Sequence, residues 1–378
     1  MKFKVNSLDL VSMLKVATKG YDSRDDSSFI YMKIDDNKLT VVSRCQSAYF
    51  SGSVDVTNVE IADDEPNIYY VDGEVLKKLT GIFPTAPVNI TFEVNKDSRV
   101  FVAKYTGSKF KLQIVSDTQE IPQPTITPLG MVQATEFMSV LNSLLKIVDN
   151  DPSAQEHPSS CLHLTFGPDK MKSMATDRFT IAEVAKDFSA DASIEEEMVV
   201  LMKHPQASLL SKTAAPAELL RLVYSDEYFG YIDGAGNLAL VGQTDLDPLQ
   251  YEQIKGLAGN DHNVVIEAAD LREALSTISK LSFANNSVVL NLDADENTAK
   301  LSSIAGDEIS IPVVEMDIDE SISVGFTRTV LQESLIPIDT DIVRLEWPEN
   351  QATIYRLVPV EDGEDEENIF VGVVPNLD

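Results

Sequence analysis

Residues Lys172 to Ala185 read KSMATDRFTIAEVA. An apolar half runs from Met174 back to Met171 and another runs forward through Phe179, Ile181 and Val184, with the polar corner Ala175-Thr176-Asp177-Arg178 between them. Period-two patterning on both sides of a small polar break predicts a bent or broken strand. The same layout recurs from Lys38 to Val56 around Ser43-Arg44-Cys45, and from Thr298 to Val314 around Ala305-Gly306-Asp307. The chain reads as one unit written three times.

Outward from these corners the repeat is explicit. Val5, Leu10, Leu14 and Ala17 are spaced as are Val132, Phe137, Leu141 and Leu144, and again as Ile266, Leu271, Leu275 and Ile278. In each set the first residue ends a short strand and the other three share one helix face. Asp9, Glu136 and Asp270 stand in the first helical turn, where the positive end of the helix dipole favours an acid. Turn-forming stretches follow at Asp35 to Lys38, Gly167 to Lys170 and Asp293 to Asn297. A second helix is expected at Gly73 to Ile82, Lys203 to Lys212 and Thr327 to Leu335, with more strand after it. Pro122, Pro124 and Pro128 make Gln119 to Gly130 a connector, and Pro248, Gly256 and Gly259 do the same for Asp245 to Asn263. The acidic run Glu361 to Glu367 reads as a solvated hairpin loop.

At 378 residues, with 43% hydrophobic and 24% charged side chains, the chain is globular and long enough for two or three cores. The start MKFKVNSLDL lacks a signal-peptide core and no apolar run could span a bilayer, so a cytoplasmic protein without a membrane partner is expected. Cys45 and Cys161 read as buried apolar residues, not a disulfide. The four histidines have no metal-ligand spacing, and no nucleophile-elbow or Walker pattern occurs. Gly234 to Ala239 matches a dinucleotide fingerprint formally, but strand-like sequence on both sides makes it a hairpin turn. Asp293-x-Asp295-x-Asn297 lacks the glycine and the bidentate acid of a calcium loop. No enzyme, metal or cofactor is expected.

The formal charge of −31 argues against a simple nucleic-acid-binding surface. Its placement is uneven. Over the six expected helices, 8–19, 73–82, 135–147, 203–212, 269–281 and 327–335, ten cations (Lys15, Lys19, Lys77, Lys78, Lys146, Lys203, Lys212, Arg272, Lys280 and Arg328) face six acids. The helices would carry +4 on a body of −35.

The opening MKFKVNSLDLVSMLKVA, the Ala175-Thr176-Asp177 corner, the Asp245 to Ile254 connector with Pro248 and Tyr251, and the closing FVGVVPNLD together resemble the bacterial β sliding clamp of DNA polymerase III over essentially the whole chain. The resemblance implies an α+β fold of three repeated clamp domains, 1–125, 126–258 and 259–378, each with two helices on one side of antiparallel sheets. It further implies a head-to-tail homodimer forming a ring around double-stranded DNA. Such a ring serves as a processivity factor for a replicative DNA polymerase, is placed by a clamp loader, and holds other proteins by short clamp-binding peptides. Twelve helices at ~10 Å spacing enclose a hole of ~28 Å, wide enough for a duplex, whereas six would leave ~9 Å.

Carried over by position, Arg24 and the helix cations would face DNA. Phe110 and Leu112 would meet Lys280 and Leu281 of a second copy. The peptide groove would be built from Thr176, Arg178, Phe179, Thr180, Ile181, Leu249, Tyr251, Ile254, Thr353, Val373, Val374, Pro375 and Asn376. The chain departs from the family pattern at Arg178-Phe179-Thr180-Ile181 and Val374-Pro375-Asn376, which implies an altered peptide preference and a divergent or phage-borne member. His157-Pro158 replaces the usual aromatic pair, which puts a DNA contact there in doubt. The competing expectation is an acidic DNA mimic or interaction scaffold that encircles nothing.

Overall fold

The structure is a computed structural model that describes residues 1–62, 66–95, 98–116, 123–190, 197–213, 219–281, 286–349, 354–361, 364–365 and 368–375. One order of elements runs through it three times. The first passage is β1 (Lys2–Asn6), α1 (Ser7–Ala17), β2 (Phe29–Asp35), β3 (Lys38–Cys45), β4 (Ala48–Glu60), β5 (Ile68–Val71), α2 (Gly73–Thr80), β6 (Asn89–Asn95), β7 (Val100–Tyr105) and β8 (Ser108–Ser116). The second is β9 (Thr127–Gln133), α3 (Ala134–Leu144), β10 (Cys161–Phe166), β11 (Lys170–Thr176), β12 (Thr180–Asp187), β13 (Ser189–Ala190), β14 (Met198–Lys203), α4 (His204–Leu210), β15 (Leu219–Tyr224), β16 (Tyr228–Ile232) and β17 (Leu238–Gly242). A short α5 (Tyr251–Lys255) interrupts the second connector. The third is β18 (His262–Glu267), α6 (Ala268–Leu281), β19 (Ser287–Asp293), β20 (Thr298–Ser303), β21 (Glu308–Ile311), β22 (Val313–Asp317), β23 (Ile322–Thr327), α7 (Arg328–Ser334), β24 (Ile342–Trp347), β25 (Tyr355–Glu361), β26 (Glu364–Asp365) and β27 (Ile369–Val373).

All twelve residues of the spaced sets are buried, none more than 3% exposed, so the helix face read from the sequence is the face that packs. Asp9, Glu136 and Asp270 all stand in the first turn of their helices. Asn6 and Asp72 cap α1 and α2 by accepting from Leu8 N and Val75 N. Gly236, at φ +81°, turns the chain between β16 and β17, as expected of the glycine pair. Both cysteines are free and buried.

The chain divides into two compact units, Met1–Met138 with Ser189–Ser193 and Pro205–Thr244, and Ser139–Phe188 with Ile194–His204 and Asp245–Asp378. In the first, a sheet runs in the order β1-β6-β7-β8-β5-β2-β3-β4-β17-β16-β15-β9-β13, and β1 also pairs with β4, which closes the first eight strands on themselves. The core between α1, α2 and these strands gathers Leu10, Leu14, Leu76 and Leu79 with Phe3, Phe92 and Phe101. The second unit holds one sheet in the order β14-β10-β11-β12-β27-β25-β24-β18-β22 and another in the order β21-β20-β19-β23.

Two expectations are corrected. The three polar corners are not bends within one strand but turns of antiparallel hairpins: β3 returns as β4 from the pair Cys45 with Ala48, β11 as β12 from Thr176 with Ile181, and β20 as β21 from Ser302 with Glu308. A bent strand would leave the backbone groups of both halves to find other partners, and the hairpin pairs them with each other. The helices are also shorter than expected. Lys19, Lys146 and Lys212 lie just beyond α1, α3 and α4, and Lys203 ends a strand. Within the observed bounds of the six expected helices Lys15, Lys77, Lys78, Arg272, Lys280 and Arg328 balance Asp9, Glu74, Glu136, Asp270, Glu273 and Glu333, so the inferred +4 becomes zero. Lysines gather where a helix's C-terminal carbonyls attract positive charge, which makes the last turn easy to overextend from sequence. No helix among the described residues is long and apolar enough to cross a membrane.

Candidate functional site

The second unit carries a groove of about 240 Å³ lined by His157, Ser159, Thr176, Arg178, Phe179, Thr180, Ile181, Leu249, Ile254, Ile354, Gly372 and Val374. Its wall begins at the β11–β12 turn. The Asp177 carboxylate accepts from the backbone N–H groups of Phe179 and Thr180, and Thr176 Oγ1 donates to the Thr180 carbonyl at 2.6 Å. Asp177, next to Asp149, is held above the ordinary carboxylate value, chiefly by burial. This tight turn places Arg178 at φ +77°, a conformation that costs a residue with a Cβ. It also leaves Phe179 54% exposed at the groove's lip, while the Phe179 carbonyl accepts from Val374 N at 2.8 Å.

The Arg178 guanidinium rests on Asp149, Nε to Oδ2 at 2.8 Å. Asp149 is itself only 7% exposed. Ser159 Oγ sits 3.3 Å from the same Oδ2 and 2.8 Å from His157 Nδ1, so one end of the groove is a connected polar set. The floor is apolar. Ile181 pairs with Gly372 across β12 and β27, and a Cβ at Gly372 would lie 2.7 Å from Ile354 Cγ2 and 2.9 Å from Ile181 Cγ2, so the glycine is what lets the two isoleucines close over the strand.

Leu249 and Ile254 come from α5 and the segment before it. Lys255 fixes that helix through Glu183 at 3.1 Å and Glu252 at 3.0 Å, and lies over the Phe370 ring at 5.5 Å. Beneath it Tyr251 meets His163 edge-on at 4.9 Å. His163 is fully buried, and burial lowers its pKa to about 4, so it is neutral there.

Eight of the thirteen groove residues expected from sequence therefore line one cavity. Tyr251 and Val373 do not line it: Tyr251 is 3% exposed against His163, and Val373 is fully buried. Period two along β27 explains the second, because Gly372 and Val374 share the groove side and Val373 points the other way. Pro375 is buried outside the lining, and Thr353 and Asn376 lie outside the described residues. Sequence reasoning missed His157, Ser159, Ile354 and Gly372. Gly372 was recoverable as the residue two before Val374, on the same face of an extended strand; the capped 157–160 turn carries no comparable signal.

The expected DNA-facing cations differ in freedom. Arg24 is 88% exposed but clasped by Asp22, whose pKa falls to about 2 through hydrogen bonds from Arg24. Lys77 donates to the Tyr21 carbonyl and lies over the Tyr21 ring at 5.2 Å, and burial pushes its pKa down. Arg272 donates to the carbonyls of Leu335 and Ile338 beyond the end of α7. Lys15, Lys19, Lys78, Lys146 and Lys212 are exposed; Lys203 and Arg328 are half-buried. Of the expected dimer residues, Lys280 is exposed and Leu281 is 57% exposed, and Phe110 is half-buried on Tyr105 at 5.8 Å. Leu112 is 1% exposed within its own unit's core, so it can back an interface and cannot supply its surface.

No protein-family model matches the chain, and a search of curated proteins finds no match to it. Solved structures are. The Pseudomonas aeruginosa DnaN sliding clamp bound to griselimycin matches with a TM-score of 0.83 at 16% identity, over 100% of this chain and 99% of that one. The Bacillus subtilis DNA polymerase sliding clamp matches with a TM-score of 0.82 at 13% identity, over 100% and 99%. The Helicobacter pylori β clamp bound to a DNA ligase peptide matches with a TM-score of 0.76 at 16% identity, over the whole of both chains. The fold is that of the DNA polymerase III β sliding clamps.

Proposed function

We propose that the protein is a sliding clamp: a homodimeric ring of three clamp domains per chain (1–125, 126–258 and 259–378) that encircles duplex DNA and tethers a polymerase. A clamp loader would place it, and the groove would hold that polymerase and other partners by short peptides. The observation that carries this reading is the full-length fold shared with clamps together with an apolar groove at Ile181, Ile254 and Val374, positions to which the resemblance carries the family's peptide groove although the residues there differ.

The strand order supports closure by a second copy. In two of the three hairpins the returning strand pairs with the last strand of the following repeat, β4 with β17 and β12 with β27. The third returning strand, β21, ends its sheet, and among the described residues β8 has a partner on its β5 side only near Ile114 and Ser116. Pairing β21 of one copy with β8 of another extends the series, and it brings in the region of Phe110, backed by Leu112, and of Lys280 and Leu281. Open strand edges are where a sheet recruits a further chain.

Helices of zero net charge on a body of −31 suit such a device. A ring held on by topology needs little affinity, and strong phosphate contacts would arrest it. The acidic-mimic reading gains no observation of its own. Light scattering tests the assembly: a mass of twice 41.6 kDa is expected, and a monomer at micromolar concentration would contradict the ring.

A further inference from the structure

The groove's apolar floor sets what can anchor in it; the charge around its mouth sets what can approach. The two segments that bring His157 on one side and Leu249 and Ile254 on the other carry five exposed acids, Asp151, Glu156, Asp245, Asp247 and Glu252. The cations beside the groove do not offset them. Arg178 is held on Asp149 at 2.8 Å, and Lys255 lies between Glu183 at 3.1 Å and Glu252 at 3.0 Å, so each is neutralised by a partner of its own unit. What remains on these two segments, once Glu252 is set against Lys255, is Asp151, Glu156, Asp245 and Asp247, exposed and in no salt bridge among the described residues, beside a slot whose arginine is already neutralised, on a chain whose formal charge is −31.

Resting on the reading of the groove as a peptide site, we propose that its partners are peptides with an aliphatic or aromatic anchor flanked by lysine or arginine. The anchor fills the floor formed by Ile181, Ile254 and Ile354. The flanking cations lie over the acidic rim, where opposite charge speeds encounter and discriminates against acidic competitors. Pinning Arg178 on Asp149 neutralises the arginine that, among the described lining residues, would repel such a peptide.

The test uses the full chain and three labelled peptides with one Leu-Phe anchor, flanked by lysine, glutamine or glutamate, titrated by fluorescence anisotropy. The lysine peptide is expected to bind about 10-fold more tightly than the glutamate peptide at 50 mM salt and within about twofold at 500 mM, as screening shortens the reach of the rim. In the triple variant Glu156→Lys, Asp245→Lys, Asp247→Lys the order of the two is expected to invert. Equal binding of all three peptides at low salt, or an order that survives the triple variant, would overturn the charge inference alone. Failure of every peptide to bind would instead overturn the groove as a peptide site, and the inference with it.

Discussion

Arg178 adopts a left-handed backbone at φ +77° and places its Nε 2.8 Å from Oδ2 of Asp149, a carboxylate only 7% exposed. A backbone cost and an electrostatic gain meet in one residue. Neither is legible without the other, since the turn alone would favour glycine and the buried acid alone would need any nearby cation.

Substitution at this position separates the two effects. Arg178→Ala keeps the strained turn and leaves Asp149 without its cation, with only the Ser159 hydroxyl and the Asp151 N–H donating to it, and is expected to destabilise by about 1 to 2 kcal/mol once the half-exposed guanidinium is discounted for screening. Arg178→Gly also removes the cation from Asp149 but relieves the backbone, and should be about 1 kcal/mol more stable than the alanine variant. Urea unfolding measures both; an alanine variant as stable as the glycine one would contradict the strain.

Phe179 and Ile181 line the same groove but differ in their duties. Phe179→Ala removes a ring that is 54% exposed and is expected to weaken peptide binding about 10-fold with little change in melting temperature. Ile181→Asp places a carboxylate where the native side chain is 3% exposed beside Met174 and Tyr251, and should cost more than about 3 kcal/mol of stability. Normal peptide affinity in Phe179→Ala, measured by titration calorimetry, would remove that residue from the site.

Asp177 and Glu333 give a pH dependence of definite sign. Burial raises both carboxyls, and each gains from a neighbouring acid, Asp149 for Asp177 and Asp177 for Glu333. A folded-state value above the unfolded one favours the protonated native form. Their contribution is therefore complete below the unfolded value near ~4 and lost as pH rises through the folded values. Asp177→Asn keeps an oxygen to accept the two turn N–H groups and is expected to flatten the fall in stability above pH ~4. An unchanged slope in denaturant melts across that range would refute the assignment.

Committed and free cations should part in DNA binding. Asp22→Asn releases the 88%-exposed Arg24, and should steepen the salt dependence of association with a short duplex by roughly one ion. Arg272→Ala should lower thermal stability, because it uncaps the carbonyls of Leu335 and Ile338, and leave that salt slope alone. A changed slope in Arg272→Ala would mean that its side chain reaches phosphate.

The threefold order of elements was legible because burial repeats at fixed spacing: Leu10, Phe137 and Leu271 occupy equivalent core positions whatever surrounds them. Hairpin closure at the polar corners was not, since a strand that bends and one that turns back share the same alternation until Asp177 is seen to cap the turn. The groove's floor was largely readable by resemblance, yet carrying residues over by position took in Val373, which is fully buried away from the groove, and passed over Gly372, which lines it. Helix charge was misjudged for a related reason: Lys19, Lys146 and Lys212 lie just beyond their helix ends, in positions that composition alone cannot separate from the last turn.

Topological retention on DNA tests the central claim most directly. The protein, loaded by a clamp loader onto nicked circular plasmid and passed through a sizing column in high salt, is expected to travel with the circle and to leave it when a restriction enzyme cuts the plasmid. Protein that stays with linear DNA, or that never co-elutes with the circle, would contradict encirclement.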